Sequence, residues 1–162
     1  MTCVNLSKKY IQELFDYKDG HLYWKKSRSN RIKVGQKAGC GKPYQVVNLD
    51  RKIQNVHVLV WAWHYGPPNN LIDHIDRNPS NNKIENLRLA NKSQNGLNRT
   101  KQANNGSGFK NVNWYKRLKK WRVQINSNGK THHIGYFDDV ELADLVAQEA
   151  RAKYHGAYAY LD

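Results

Sequence analysis

The chain of 162 residues is long enough for one sizeable domain or two small ones. Its formal net charge of +14 favours a polyanionic partner, which is nucleic acid in the first place and an anionic membrane surface in the second. It contains no run of about 18 apolar residues, which excludes a membrane-spanning helix, and its N-terminal residues lack the apolar core of a signal peptide. With only two cysteines, a disulfide framework and a cysteine-rich zinc site are also excluded, so we expect a cytoplasmic protein that is not secreted.

The N-terminal quarter alternates short elements with basic loop. Apolar residues at helical spacing predict a short amphipathic helix over residues 5–16, with Ser7 as its cap. Residues 17–20 predict a turn, and residues 21–26 a strand. Residues 27–41 are basic, interrupted by glycine and free of acids, which predicts a loop whose charges face solvent or phosphate.

A hairpin and a helix are predicted next. Residues 44–49 and 52–56 are rich in strand formers and flank a tight turn. Residues 57–66 carry apolar side chains at helical spacing and end in Gly66 followed by two prolines, which favours a helix. Their β-branched residues leave a strand open as the alternative.

The central segment predicts a strand, a loop, a second strand and a short helix. The strands cover residues 71–74 and 86–90, and an asparagine-rich loop lies between them. Asn91 is a good N-cap for a helix that runs through Asn98.

The C-terminal third has the pattern of a small antiparallel sheet with one helix. Three strands are predicted within residues 109–117, 120–129 and 130–137, with a hairpin at Asn128–Gly129. Asp138, followed three residues later by a glutamate, predicts the start of a helix that Gly156 ends.

The pair Asp73–His74 offers a hard oxygen ligand beside a base. The predicted hairpin can bring Asp73 and Asn95 together on one divalent cation, Mg²⁺ or Mn²⁺, while His74 activates a water molecule. Asn86 is predicted to brace the loop and to orient His74. An isolated Asp–His pair is more often a surface pair, so the prediction depends on this joint pattern.

The other asparagines of the loop have a simpler interpretation. Asn78, Asn81 and Asn82 are predicted to form turns, because asparagine tolerates the left-handed conformation and bonds its own backbone. Four aromatic residues are predicted to pack in the core: Trp24, Trp61, Trp63 and Tyr65. Trp121 is equally compatible with a place in the core and with a DNA contact.

The spacing of His74, Asn86 and Asn95 resembles the HNH homing endonucleases of phages, which have a ββα-metal fold. The resemblance implies that His74 is the general base, that Asp73 and Asn95 are metal ligands and that Asn86 braces the loop. Asn95 stands where other members carry a last histidine, so this is an H-N-N variant. His57 matches a family histidine with a supporting role at most.

Residues 107–156 are similar to the AP2 DNA-binding domain, a three-stranded sheet backed by one helix that docks in the major groove. The positions that match its DNA-reading residues are Asn113, Trp114, Lys116, Arg117, Trp121, Arg122, Gln124 and His132. Further DNA contacts are predicted at Arg88, Arg99, Lys110 and Lys130. Asn113 replaces a usual base-reading arginine, so the resemblance extends to docking and not to base preference.

Together these observations predict an α+β protein with an HNH nuclease domain at 1–98 (core motif 56–98), a linker at 99–107 and an AP2-like domain at 108–160. The predicted function is metal-dependent hydrolysis of phosphodiester bonds in double-stranded DNA, as a nick or a double-strand break. A catalytically silent, sequence-specific DNA-binding regulator is the alternative, and an RNA-binding protein is a weaker third. We expect no membrane association and no obligatory protein partner, a monomer or weak dimer, and the cytoplasm of the host cell if a phage carries the gene.

Overall fold

The computed structural model describes residues 4–98 and 105–159 and has a mixed α+β architecture with small antiparallel sheets. The chain divides into two compact units, Met1–Ala90 and Asn91–Asp162. The boundary between these units, after Ala90, precedes the predicted linker at 99–107. The predicted division into a nuclease domain, a linker and a C-terminal domain therefore remains a prediction. Within the described parts of the chain, no helix has the length and apolar character needed to cross a membrane.

The described part of the first unit consists of two α-helices and seven short strands. In chain order they are α1 (Lys8–Leu14), β1 (Phe15–Lys18), β2 (His21–Trp24), β3 (Lys37–Ala38), β4 (Val46–Leu49), β5 (Lys52–Asn55), α2 (Val56–Tyr65), β6 (Leu71–His74) and β7 (Leu87–Ala90). Strands β1, β2 and β3 form one antiparallel sheet, whereas β4–β5 and β6–β7 are hairpins. The predicted helix over 57–66 and the predicted strand over 71–74 are therefore confirmed.

The prediction of a turn over residues 17–20 is wrong in its first half. Asp19 and Gly20 both have positive φ angles, 47° and 80°, so two residues are enough to reverse the chain. Tyr17 consequently belongs to β1. The helix before it ends at Leu14, because Phe15 is already extended with φ −133° and ψ 143°.

The core of the first unit lies between α1, α2 and the short sheets. Its fully buried side chains include Ile11, Phe15, Leu22 and Leu59. Burial of apolar side chains of this size is the main stabilising contribution in a small domain. The core therefore holds α2 and the sheets in the positions from which the central hairpin is presented.

The tryptophans of the first unit follow the prediction, but one tyrosine does not. Trp24 is buried in the core, and Trp61 and Trp63 pack against it while partly buried. Tyr65 is 65% exposed, so its assignment to the core is wrong. It is the last residue of α2, immediately before the Gly66 cap.

The described part of the second unit begins with a short helix and continues as a sheet with one helix packed on it. Its elements are α3 (Lys92–Leu97), β8 (Val112–Tyr115), β9 (Lys120–Ser127), β10 (Lys130–Phe137) and α4 (Val140–His155). The sheet order is β10-β9-β8, with all neighbours antiparallel. Asn91 caps α3 through a capping box with Gln94, as its position predicts. The three predicted C-terminal strands and the terminal helix are confirmed.

The N-cap of α4 is one residue later than predicted. Asp139, not Asp138, accepts a hydrogen bond from the Leu142 backbone N–H at 2.7 Å. Asp138 instead pairs with Lys120 at 2.9 Å. Beneath α4, Ala143 and Ala147 are buried together with valines of β8 and β9, so these small residues allow the helix to lie close to the sheet.

Candidate active site

The β6–β7 hairpin holds the Asp–His pair and sends its two side chains in different directions. In the antiparallel register, Asp73 lies opposite Arg88 and His74 lies opposite Leu87. Because successive side chains of a strand alternate between its faces, Asp73 and His74 have different neighbours. Asp73 Oδ2 accepts hydrogen bonds from Arg88 Nε at 3.0 Å and Arg88 Nη2 at 2.8 Å. Arg88, which was predicted to contact DNA, therefore forms a largely buried ion pair with Asp73.

His74 is buried against an asparagine of the loop. It is 5% exposed, and its Nε2 lies 3.0 Å from Oδ1 of Asn82, which is itself only 2% exposed. Since an amide oxygen only accepts, Nε2 is the ring nitrogen that donates in this contact, and Nδ1 is the one that can accept a proton. The prediction that Asn82 serves only as a turn former is thus wrong.

A second buried histidine packs on His74 from α2. The rings of His57 and His74 meet edge to face with their centroids 4.9 Å apart, and His57 is 7% exposed. Burial, with a smaller contribution from the charge of His74, lowers the pKa of His57 to about 4. His57 is therefore neutral near pH 7. The half-exposed ring of Tyr44 completes the group, 5.7 Å from His57 and 6.1 Å from His74.

Asn86 braces the loop between the two strands. Its Nδ2 donates to Asp76 Oδ1 and to the Asn81 carbonyl oxygen, both at 2.8 Å, and its Oδ1 accepts from the Asp76 backbone N–H at 3.0 Å. Asn81 Nδ2 donates to Asp76 Oδ2 at 2.7 Å. Burial alone would raise the pKa of Asp76, but the hydrogen bonds from Asn81, Asn78 and Asn86 outweigh it and the pKa is lowered. The orientation of His74 that was predicted for Asn86 is provided by Asn82 instead.

The first sheet holds the loop segment that carries Asn82. Tyr17 Oη accepts a hydrogen bond from the Ile84 backbone N–H at 3.2 Å. At Gly20, a Cβ would lie 2.9 Å from the Lys83 backbone nitrogen and 3.2 Å from the Asn82 carbonyl carbon. Glycine is therefore required there by both its positive φ and this close approach. The β1–β2 turn and Tyr17 thus contact the backbone of the segment that carries Asn82.

Asn95 lies in α3, where its backbone N–H donates to the Asn91 carbonyl oxygen at 2.9 Å. Because α3 belongs to the second unit, its role as a metal ligand remains a prediction from the sequence. No group of three or more His, Cys, Asp and Glu side chains comes together within residues 4–98 and 105–159. The part of the chain that the structure describes thus contains no cage built from these side chains alone.

The register of the second sheet sorts the predicted DNA contacts into two faces. Val112 pairs with Val123 beneath α4, so the next pair, Asn113 and Arg122, lies on the opposite, outer face. Arg122 lies over the Tyr115 ring, 5.1 Å from its centroid. The outer face is formed by Asn113, Tyr115, Lys120, Arg122, Gln124, Asn126, Thr131, His133 and Tyr136.

Three of the predicted DNA contacts lie on the helix side. Trp114 and Trp121 pair with each other on the face of the buried valines, their rings 4.9 Å apart. His132 stacks on Tyr154 of α4 at 4.3 Å. For Trp121, which packs against the core, the structure favours the core interpretation.

The other predicted contacts differ in their surroundings. Lys116, Arg117 and Lys130 are exposed in or beside the strand connections. Lys110 Nζ donates to the Leu97 carbonyl oxygen at 2.7 Å. Arg99 lies outside the described residues.

Comparison with known proteins adds independent findings. The family model of the HNH endonuclease matches residues 54–97, which extend from the end of β5 through α2 and the β6–β7 hairpin to α3. The chain is 36% identical over 105 residues to Protein 3.8 of Escherichia phage T7, an alignment that covers 64% of this chain and 86% of that protein. No solved structure matches the chain.

Proposed function

We propose that this chain is a metal-dependent endonuclease for double-stranded DNA. The chain belongs to the family of Protein 3.8 of phage T7 and carries an HNH endonuclease domain. Its reaction is hydrolysis of a phosphodiester bond, as a nick or a double-strand break. The observation that carries the proposal is the buried His74, which follows Asp73 in β6 and whose Nε2 lies 3.0 Å from Oδ1 of the buried Asn82.

His74 acts as the general base. With Nε2 donating to Asn82, Nδ1 takes a proton from a water molecule, whose oxygen attacks the phosphorus in line with the leaving 3′-oxygen. Neutral His57 at its side adds no positive charge that would oppose this protonation. The buried amide keeps the ring in one orientation, which is what a base in an in-line reaction requires.

A hard divalent cation such as Mg²⁺ or Mn²⁺ is part of the proposal. Asp73 supplies a carboxylate that already balances the positive charge of Arg88, and Asn95 is the second predicted oxygen ligand. One carboxylate and one amide suit an ion that keeps several waters and takes a phosphate oxygen, rather than a zinc ion with four protein ligands. When bound, such an ion polarises the phosphoryl oxygen and stabilises the charge on the leaving oxygen.

The outer face of the second sheet positions the duplex. It combines the guanidinium of Arg122 with the amides of Asn113 and Gln124, groups that bond phosphates and base edges. Lys116 and Arg117 extend the positive charge into the β8–β9 connection. AP2-like docking of this sheet is part of the proposal and rests on the resemblance of the sequence. On the helix side, Trp121 packs against the core and His132 stacks on Tyr154, whereas Trp114 is 47% exposed and remains a proposed DNA contact.

The homing role is also part of this proposal, and the phage origin of the relative supports it. A homing enzyme cuts alleles that lack its own gene. Cleavage of phage genomic DNA with and without the gene at its insertion site tests this role directly.

The deciding experiment is cleavage of a supercoiled plasmid with Mg²⁺ by the full chain and by His74→Ala. We expect the unmodified chain to nick or linearise the plasmid and His74→Ala to lose this activity. His21→Ala, which removes a histidine of β2 in the same unit, is the control and should cleave normally. Undiminished cleavage by His74→Ala would falsify the mechanism. Sequence-specific binding by the unmodified chain, without cleavage in Mg²⁺ or Mn²⁺, would support the silent regulator instead.

A further inference from the structure

Three rings meet at the candidate active site, and their exposure differs sharply. His57 and His74 are buried, whereas Tyr44 is 48% exposed. The Tyr44 ring nevertheless contacts both of them, with centroid distances of 5.7 Å and 6.1 Å. Of these three rings, Tyr44 is therefore the one that a substrate arriving at His74 would meet first.

Tyr44 is held in this place by its backbone neighbours. Cys40 and Val46 exchange two backbone hydrogen bonds, of 3.1 Å and 2.8 Å, and so close the short loop that contains Tyr44. The Gln45 carbonyl oxygen accepts from the Val56 N–H at 2.9 Å, which fastens the loop to the first residue of α2. The next residue of α2 is His57. The loop and the buried histidine are thus positioned by the same helix end.

Gly39, the residue before this loop, approaches α2 more closely than a side chain would allow. A Cβ at Gly39 would lie 2.6 Å from Val56 Cγ2, and Gly39 has a φ of +101°, so glycine is needed there on both counts. The backbone next to Tyr44 is therefore closely packed against α2, although the Tyr44 ring itself is about half exposed. An exposed aromatic ring on such a support is suited to bind a flat partner.

We propose that Tyr44 forms a stacking site for the nucleotide next to the scissile phosphate. The inference rests on the proposed function and adds a substrate contact to it. Aromatic rings stack on the flat faces of bases and sugars without regard to sequence, and neighbouring cations hold the backbone. Lys42, exposed two residues before Tyr44, supplies such a cation. Contact with the ring aligns the strand so that its phosphate lies over His74.

The test measures DNA affinity in a chain that cannot cleave. His74→Ala is combined with Tyr44→Leu, which still covers the two histidines but cannot stack, and separately with Tyr44→Phe, which can. Tyr65→Leu in the same background is the matched control, because Tyr65 is an exposed aromatic residue of the same unit. Binding is followed by fluorescence anisotropy on a labelled duplex. The duplex spans the mapped cut if the unmodified chain cleaves DNA, and has an arbitrary sequence if it does not.

We expect Tyr44→Leu to weaken binding by about tenfold, with Tyr44→Phe and Tyr65→Leu within about twofold of the parent. On a duplex whose base next to the cut is removed, the loss disappears if the ring stacks on the base and persists if it stacks on the sugar. Equal affinities for Tyr44→Leu and Tyr44→Phe overturn the proposal, as does an equal loss for Tyr65→Leu. Urea unfolding of each variant verifies that all are folded. Because binding is measured without cleavage, failure of the nuclease function is seen separately, in the plasmid assay.

Discussion

At the scale of single residues, the contact between His74 Nε2 and Asn82 Oδ1 determines which ring nitrogen is basic. We expect Asn82→Ala to lower the rate of plasmid cleavage by roughly 10- to 100-fold, the usual effect of losing a partner that orients a functional side chain. Asn82→Asp retains an oxygen acceptor and should keep more activity than Asn82→Ala. Asn78→Ala, in the exposed part of the same loop, is the control. Rates that are equal for Asn82→Ala and Asn78→Ala would show that Asn82 does not orient the base.

The buried His57 makes stability depend on pH in a defined window. The pKa of His57 is about 4 in the folded protein against an ordinary value of 6.5, so between these values the unfolded chain binds a proton that the folded chain does not. Stability therefore falls as pH decreases from 6.5 towards 4, by roughly 3 kcal/mol from this group.

Urea unfolding of the unmodified chain and of His57→Phe at pH 7 and pH 5 measures this dependence. The phenylalanine keeps an aromatic ring in the site but cannot bind a proton, so the decrease in stability should be smaller in the variant. A residual decrease is expected in both, because burial also lowers the pKa of His64 and His155. If the two proteins lose stability equally, His57 is not protonated on unfolding in this range.

Some residues of the candidate site could be predicted from the sequence and others could not. Asp73 and His74 are visible because two chemically different groups adjoin at the end of a predicted strand. Asn82 is hidden among several asparagines of one loop, all equally suited to turns, and its burial depends on the distant β1–β2 turn at Gly20. A contact that requires long-range packing has no local pattern from which it could be predicted.

At the scale of elements, the start of α4 separates two neighbouring aspartates. Asp139 accepts the Leu142 backbone N–H, whereas Asp138 forms an exposed pair with Lys120. We expect Asp139→Ala to lower the free energy of unfolding by about 1 kcal/mol, because an orphan N–H of the first helical turn loses its acceptor. Asp138→Ala should cost less, since exposed ion pairs contribute little. The urea midpoints of the two variants measure these losses of stability. A larger loss for Asp138→Ala than for Asp139→Ala would assign the helix cap to Asp138.

Elements with a clear period or a strong end signal could be predicted from sequence. The strand Leu71–His74, the capped start of α3 and the hairpin at Asn128–Gly129 all follow local rules. Strand β1 could not be placed, because its four residues directly follow a helix without a turn between them. The choice between Asp138 and Asp139 likewise depends on where β10 ends, which the helix pattern does not determine.

At the scale of the whole molecule, the net charge of +14 makes DNA binding dependent on salt. Each phosphate that a lysine or arginine neutralises releases a condensed counterion, so the logarithm of the binding constant falls with the logarithm of the salt concentration by about 0.9 per contact. A positive charge spread over the whole protein would also make the binding constant fall with increasing salt. The slope becomes informative about the binding surface only when charges are removed at defined places.

Two double variants that remove the same charge locate the DNA contacts. Lys116→Gln with Arg117→Gln neutralises the exposed connection between β8 and β9, and Lys8→Gln with Lys9→Gln neutralises the exposed start of α1. If the first pair contacts phosphates, its loss should reduce the salt slope by about 2, whereas the second should leave the slope nearly unchanged. Anisotropy titrations with duplex DNA at several salt concentrations give the slopes. Since the two variants have the same net charge, equal slopes would mean that β8–β9 charge acts only through the general field of the protein.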